Sequence, residues 1–316
     1  MSLIQRGLNL LNRVQNNVQS TVDKVQSAAS TAGNAVRNGV EKGGQKLEQF
    51  ADGFEGQVQQ KAGLLGGIFG DKSDKAFDGK LVGAGGQTFN PGTPLSQVPG
   101  VTPKNNPNPS ETIIYVNGIG DTKNKQFGSL QQIADTTGAK VLGVHNATEG
   151  MAADVLQCVK DKLDKGTNPA VDTLADTVYA ELKAGRSVHL MGHSQGALIT
   201  SRALSHVANR LRVEDGLSKA DTEKLLSKVN VETFGGAAAN YPDGPRYVHY
   251  VNNKDKVPGL FGLGDGEGPE EFLKHAGRDA VVRRYDYGDN MGDAHRLSDA
   301  YLPFRIPFDE ARAGKP

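Results

Sequence analysis

Apolar residues along this chain change rhythm twice. In residues 1–61 they return in steps of three and four, at Ile4, Leu8, Leu11, Val18, Val22, Val25, Ala29, Ala32 and Val36, with Gln15 filling the one missing step. That is the spacing of a helix that keeps one face dry. Val and Ala fill most of the seam, so the stripe is thin and such a helix needs a partner surface. From residue 111 onward, short apolar runs alternate with helix-periodic ones. Runs at 112–116, 140–144, 187–191, 228–234, 246–251 and 280–284 predict strands, and stretches at 150–165, 171–183, 195–210 and 219–227 predict helices. Strands that are apolar on both faces and separated by helices predict an α/β fold with a mainly parallel sheet. In such sheets ligands bind beyond the carboxyl ends of the strands. Between the two patterns, glycines at 66, 67, 70, 83, 85 and 86 are followed by a cluster of prolines from Pro91 to Pro109. This composition predicts a linker. The expected organisation is therefore an amphipathic helical region at 1–61, a Gly/Pro-rich linker at 62–110 and a catalytic domain at 111–316.

Composition narrows the chemistry. The 36 basic residues cancel the 36 acidic ones, which argues against nucleic acid as a partner, since that binding runs on excess positive charge. A single cysteine, Cys158, excludes an intramolecular disulfide framework and a zinc site built on paired cysteines. The 7 histidines show no metal-ligand spacing. No metal or organic cofactor is expected. Arg6 and Arg13 interrupt the apolar start, so a cleaved signal peptide is not expected and the protein is read as cytoplasmic when synthesised. The stripe in residues 1–61 offers three partners: a membrane surface, an export partner or another copy of the chain.

The sharpest chemical signal is Gly192-His193-Ser194-Gln195-Gly196. An apolar strand precedes it and a helical face follows, the context a nucleophile elbow requires. Small residues flank Ser194 where strand and helix almost touch, and the helix N-terminus favours negative charge beside the serine. A serine hydroxyl needs a base and an orienting carboxylate, and both are found later in the chain. Asp255 lies in the loop after the 246–251 strand, ahead of its rivals Asp243 and Asp265. His295 is the only histidine after the last predicted strand, with His275, in the helix-like run 270–275, as runner-up. His145, His189, His206 and His249 are read as packing residues, and His193 as shaping the elbow. The oxyanion hole is expected from the backbone N–H of Gln195 and from Gly118 and Ile119, in the loop after the first strand. That Gly-x-Gly lacks the rest of a dinucleotide fingerprint.

Together these residues resemble the α/β-hydrolase superfamily, and in particular its lipase branch. Gly192-His193-Ser194-Gln195-Gly196 is similar to the lipase elbow, and the segment from Asn252 to Pro258 resembles the N-x-x-D-x-V-P stretch of class 3 lipases. The resemblance implies Ser194 as nucleophile, Asp255 as orienting acid and His295 as base, acting on the ester bonds of lipids as a lipase or phospholipase. Looser similarity to lipase-like effectors that bacteria secrete implies export by a specialised machine. A thioesterase or small-ester esterase would use the same triad, and a partner-binding scaffold with an inactive hydrolase domain is the reading of another class. Lid candidates are 259–268 and 121–128.

Overall fold

The computed structural model describes residues 72–118, 120–147, 168–265 and 274–315. The expected helical region at 1–61 and the expected helix at 150–165 lie outside them. Strands β1 (Leu81–Val82), β2 (Thr88–Phe89), β3 (Thr112–Val116), β4 (Lys140–Val144), β5 (Val188–His193), β6 (Val229–Phe234), β7 (Arg246–Asn252) and β8 (Val281–Tyr285) form one sheet. Its order is β2-β1-β4-β3-β5-β6-β7-β8. Strands β3 to β8 run parallel, and β1 pairs antiparallel with β4. With helices between the strands and an elbow after β5, this is the α/β-hydrolase fold.

The expected linker at 62–110 does not stay outside the domain. From Lys72 on it is part of it: β1 extends the sheet beside β4, and Val101 exchanges backbone hydrogen bonds with Val141. Some of the glycines there serve close packing. A Cβ on Gly83 would lie 2.5 Å from the Pro99 carbonyl oxygen, and one on Gly79 2.7 Å from Pro169 Cβ. Strands of two residues are too short to register as apolar runs.

Four helices were read or missed for local reasons. α2 (Pro169–Lys183) starts where the Asn168 side chain accepts from the N–H groups of Ala170 and Val171. α3 (Gln195–Val213) buries Ala197, Leu198, Ala203, Leu204, Val207 and Leu211 against the sheet, and α4 (Lys219–Leu226) is capped by Ser218. α1 (Lys123–Thr137) was not expected, and it overturns 121–128 as a lid loop. Its buried stripe is Gln126, Leu130, Ile133 and Ala134, so a polar residue stands where periodicity looks for an apolar one. Gln126 is satisfied internally: its amide donates to the Val144 carbonyl at 3.0 Å and its oxygen meets His145 Nδ1 at 2.9 Å.

Toward the amino ends of the strands lies a charged cluster in which His189, Glu232 and Arg305 are buried and Glu111 faces solvent. His189 Nδ1 meets Glu111 at 2.5 Å and its Nε2 meets Glu232 at 2.9 Å. Arg305 donates two bonds of 2.9 Å to Glu232, which is wholly buried. Burial alone would disfavour charge on His189, but the two carboxylates outweigh it and push the imidazole up to about 9.

Candidate active site

Ser194 sits between β5 and α3 with φ 56 and ψ −123, a region a side-chain-bearing residue enters only when the surroundings hold it there. The surroundings do. A Cβ on Gly192 would lie 2.8 Å from the Ala197 backbone, and one on Gly196 2.1 Å from the Val116 carbonyl oxygen. Strand, turn and helix are thus closer than any other residue permits. The Ser194 N–H donates to the Phe234 carbonyl and its own carbonyl accepts from Ala237, both at 3.0 Å, tying the elbow to the end of β6.

Asp255 and His295 arrive from further along the same rim. Asp255 caps α5 (Lys256–Phe261), accepting the Val257 N–H at 2.9 Å on Oδ1. His295 directly follows α6 (Met291–Ala294). Its Nδ1 lies 2.6 Å from Asp255 Oδ2 and its Nε2 lies 2.9 Å from Ser194 Oγ. The carboxylate can only accept, so Nδ1 carries the proton and Nε2 is left to receive the serine's. The structure thus brings Ser194, Asp255 and His295 into one hydrogen-bonded chain.

The rivals are elsewhere. His275 pairs with Asp243 at 2.8 Å, and Arg278 donates to the other Asp243 oxygen. Its backbone bridges to Asn240 instead of belonging to a helix, although 270–273 lie outside the described residues. Asp265 meets Arg284 at 3.1 Å. The segment expected as a second lid, 259–268, begins inside α5, and 266–268 lie outside the described residues.

Of the expected oxyanion donors, Gln195 is the first residue of α3, so its N–H has no helical acceptor one turn back. Its side chain is held from behind by the Asn146 amide at 2.8 Å. Gly118 lies against the elbow, where a Cβ would be 2.8 Å from Ser194 Cβ. Ile119 lies outside the described residues.

Several residues contribute in ways the sequence did not announce. The buried Asn252 donates to the carbonyls of Tyr287 at 2.8 Å and Ala294 at 2.9 Å, and so anchors the loop that delivers His295. His193 donates from Nε2 to the His295 carbonyl at 2.8 Å. Burial, and then the neighbouring His295, push His193 down to about 3, so it remains a neutral donor. Tyr301 donates to Asp255 Oδ2 at 2.5 Å. Asp121, in the loop before α1, is pushed up to about 6 by burial, against the pull of Lys125 and His295. Asn252 begins the N-x-x-D stretch, which was a usable signal; Tyr301 had none. Among the described residues, no group of three or more His, Cys, Asp or Glu side chains is placed to hold a metal ion.

No family model matches the chain. An alignment of 155 positions that covers 44% of the chain is 30% identical to surfactin synthase subunit 2 of Bacillus subtilis (strain 168), of which it spans only 4%. Among solved structures, RedJ with a PEG molecule bound in its active site aligns over 68% of this chain and 93% of its own, at 14% identity and a TM-score of 0.33.

Proposed function

We propose that the protein is a serine hydrolase that moves an acyl group from an ester or thioester to water through an acyl-enzyme on Ser194. The observation that carries this reading is the continuous chain from Ser194 Oγ through His295 to Asp255 on the carboxyl rim of the sheet. In the first half-reaction His295 Nε2 takes the hydroxyl proton as Oγ attacks the acyl carbon. The same nitrogen then protonates the departing alcohol or thiol. In the second half-reaction it takes a proton from water as the water oxygen attacks the acyl carbon, and returns a proton to the departing Ser194 Oγ as the acid is released. Asp255 steadies the imidazolium that forms each time. The N–H of Gln195, with a second donor from the loop at Gly118, would meet the negative oxygen of both tetrahedral intermediates.

For the substrate, similarity of part of the chain to a synthase subunit favours an acyl thioester ahead of bulk lipid. A second reading, hydrolysis of lipid esters, is supported by the likeness of the elbow and of the Asn252–Pro258 segment to lipases. A panel of acyl thioesters, phospholipids, triacylglycerols and short-chain esters, run on wild type and Ser194→Ala, tests both. The expected outcome is turnover highest on acyl thioesters, labelling of Ser194 by a fluorophosphonate, and loss of both in the variant. Turnover confined to phospholipid or triacylglycerol would move the assignment to the second reading. Equal turnover by Ser194→Ala, or none by wild type on any member, would sink the enzyme reading and leave a partner-binding scaffold.

A further inference from the structure

We infer that Tyr301 is a positioning residue for the triad, its hydroxyl drawing on the charge of Asp255 and so setting how readily His295 releases a proton. The inference deepens the serine-hydrolase reading and rests on it.

Asp255 is 2% exposed, so its charge is answered by protein groups. Oδ1 takes one donor, the Val257 N–H. Oδ2 takes two: His295 Nδ1 at 2.6 Å and the Tyr301 hydroxyl at 2.5 Å. Both draw on the electron density of one oxygen, so what the phenol takes, the imidazole loses. Burial, and then the charge of Asp255, push the phenol far above its ordinary value, so it keeps its proton at any working pH.

The backbone makes room for this bond. Gly235, at φ 55, ends β6 beneath the pair. A Cβ there would lie 2.6 Å from the Tyr301 oxygen and 2.7 Å from Asp255 Oδ2, so a side chain at 235 would occupy the space in which the two oxygens meet. The ring is held on three sides, by Phe234, His193 and Tyr285, with centroids 6.0 to 6.3 Å away. Tyr301 closes a wide, π-type turn, Leu297–Tyr301, that follows His295 directly after Arg296. Turns of this kind recur at functional sites. One short segment therefore delivers both the base and the group that moderates the acid behind it.

The chemical consequence has a definite direction. A carboxylate shared with a phenol stabilises the imidazolium less, so His295 becomes the neutral base at lower pH. Without the hydroxyl, more of the charge faces His295 and the base stays protonated to higher pH; the other titratable groups near the ring, His193 and Asp121, are the same with and without the hydroxyl.

Tyr301→Phe keeps the ring and removes only the donor. On a short-chain p-nitrophenyl ester, the acid limb of its kcat/KM profile should move upward by about 0.5 to 1 pH unit, with the plateau lowered less than about tenfold. In parallel, the His295 ring is titrated by NMR in Ser194→Ala with and without Tyr301→Phe, a measurement that needs no substrate. The midpoint should move up by a similar amount. A Tyr301→Phe enzyme that is slower but keeps the wild-type acid limb and midpoint would overturn the inference and leave Tyr301 a packing residue. If Ser194→Ala hydrolyses the ester as fast as wild type, the serine-hydrolase reading falls instead, and the NMR midpoint alone decides what Tyr301 does to His295.

Discussion

The two ends of the parallel sheet each hold a histidine beside a carboxylate, His189 buried and His295 partly exposed, and they surround it in opposite ways. At the amino end, both ring nitrogens of His189 face carboxylates, those of Glu111 and Glu232. The ring has nowhere to send a proton and stays a cation, pushed up to about 9 by those carboxylates against the cost of burial. At the carboxyl end, one nitrogen of His295 faces Asp255 and the other faces Ser194 Oγ. There the proton has two places to be. What separates a structural cation from the proposed acid–base group is thus the partner of the second nitrogen, more than the presence of a carboxylate at the first.

Exchanging the two residues' fates is the strongest way to break this comparison. His295→Ala should lower kcat on the order of 10⁴-fold or more, with little change in unfolding free energy. His189→Gln should leave activity per folded molecule within about threefold while costing about 3 kcal/mol of stability, because the buried Glu232 loses one of its cationic partners. Steady-state kinetics and urea melts on both variants read the two effects, and a slow, stable His189→Gln would contradict the division.

A pH series sharpens it. The folded protein holds the His189 proton to about 9, whereas an unfolded chain releases it near 6.5. That stabilisation is complete below pH 6.5 and is lost as pH rises through 9, to the extent of about 3 kcal/mol. His193, His145 and His249, pushed down to about 3, 4 and 4 chiefly by burial, act the other way. Their contribution is present above 6.5 and lost as pH falls. Unfolding free energy should therefore be greatest near pH 6.5, and the decline on the alkaline side should disappear in His189→Gln. An alkaline limb that survives the substitution would mean another group carries it.

The smallest of these effects concerns delivery of His295. Asn252→Ala removes the two bonds that fix the Tyr287 and Ala294 carbonyls. It should reduce kcat/KM about tenfold, most of it in kcat, by loosening the loop without touching the triad. An unchanged kcat would show that His193, through the His295 carbonyl, suffices to place the ring.

The contrast between the two ends also explains what could be read in advance. Strands β3 and β4 announce themselves as apolar runs and β5 to β8 as short runs rich in Val, Tyr and Phe, and Ser194, Asp255 and His295 are proposed together from one motif and the order in which α/β hydrolases place their partners. Groups that act through distant pairing do not. Glu111, His189, Glu232 and Arg305 look like ordinary scattered charges, because only the folded sheet brings His189 to Glu111 and Arg305 to Glu232. α1 was hidden by Gln126, a polar residue at a buried position that α1 can tolerate because His145 and the Val144 carbonyl satisfy it. β1 and β2 were hidden in a Gly- and Pro-rich stretch, although Gly79, Gly83 and Gly100 there meet close neighbours. Tyr301 lies close after His295, yet its bond to Asp255 depends on the empty space over Gly235.

The two outer strands bear on a different hazard, the tendency of open sheets to add foreign strands. At one end the ladder tapers to β2, only two residues long, which gives an incoming chain little to grip. At the other, β8 is five residues long but carries Arg283 and Arg284 in succession, and a second β8 laid alongside would set like charges against each other. One margin resists fibril growth by brevity and the other by charge, so replacing both arginines with valine should leave the active site intact while making the protein prone to aggregate along that margin.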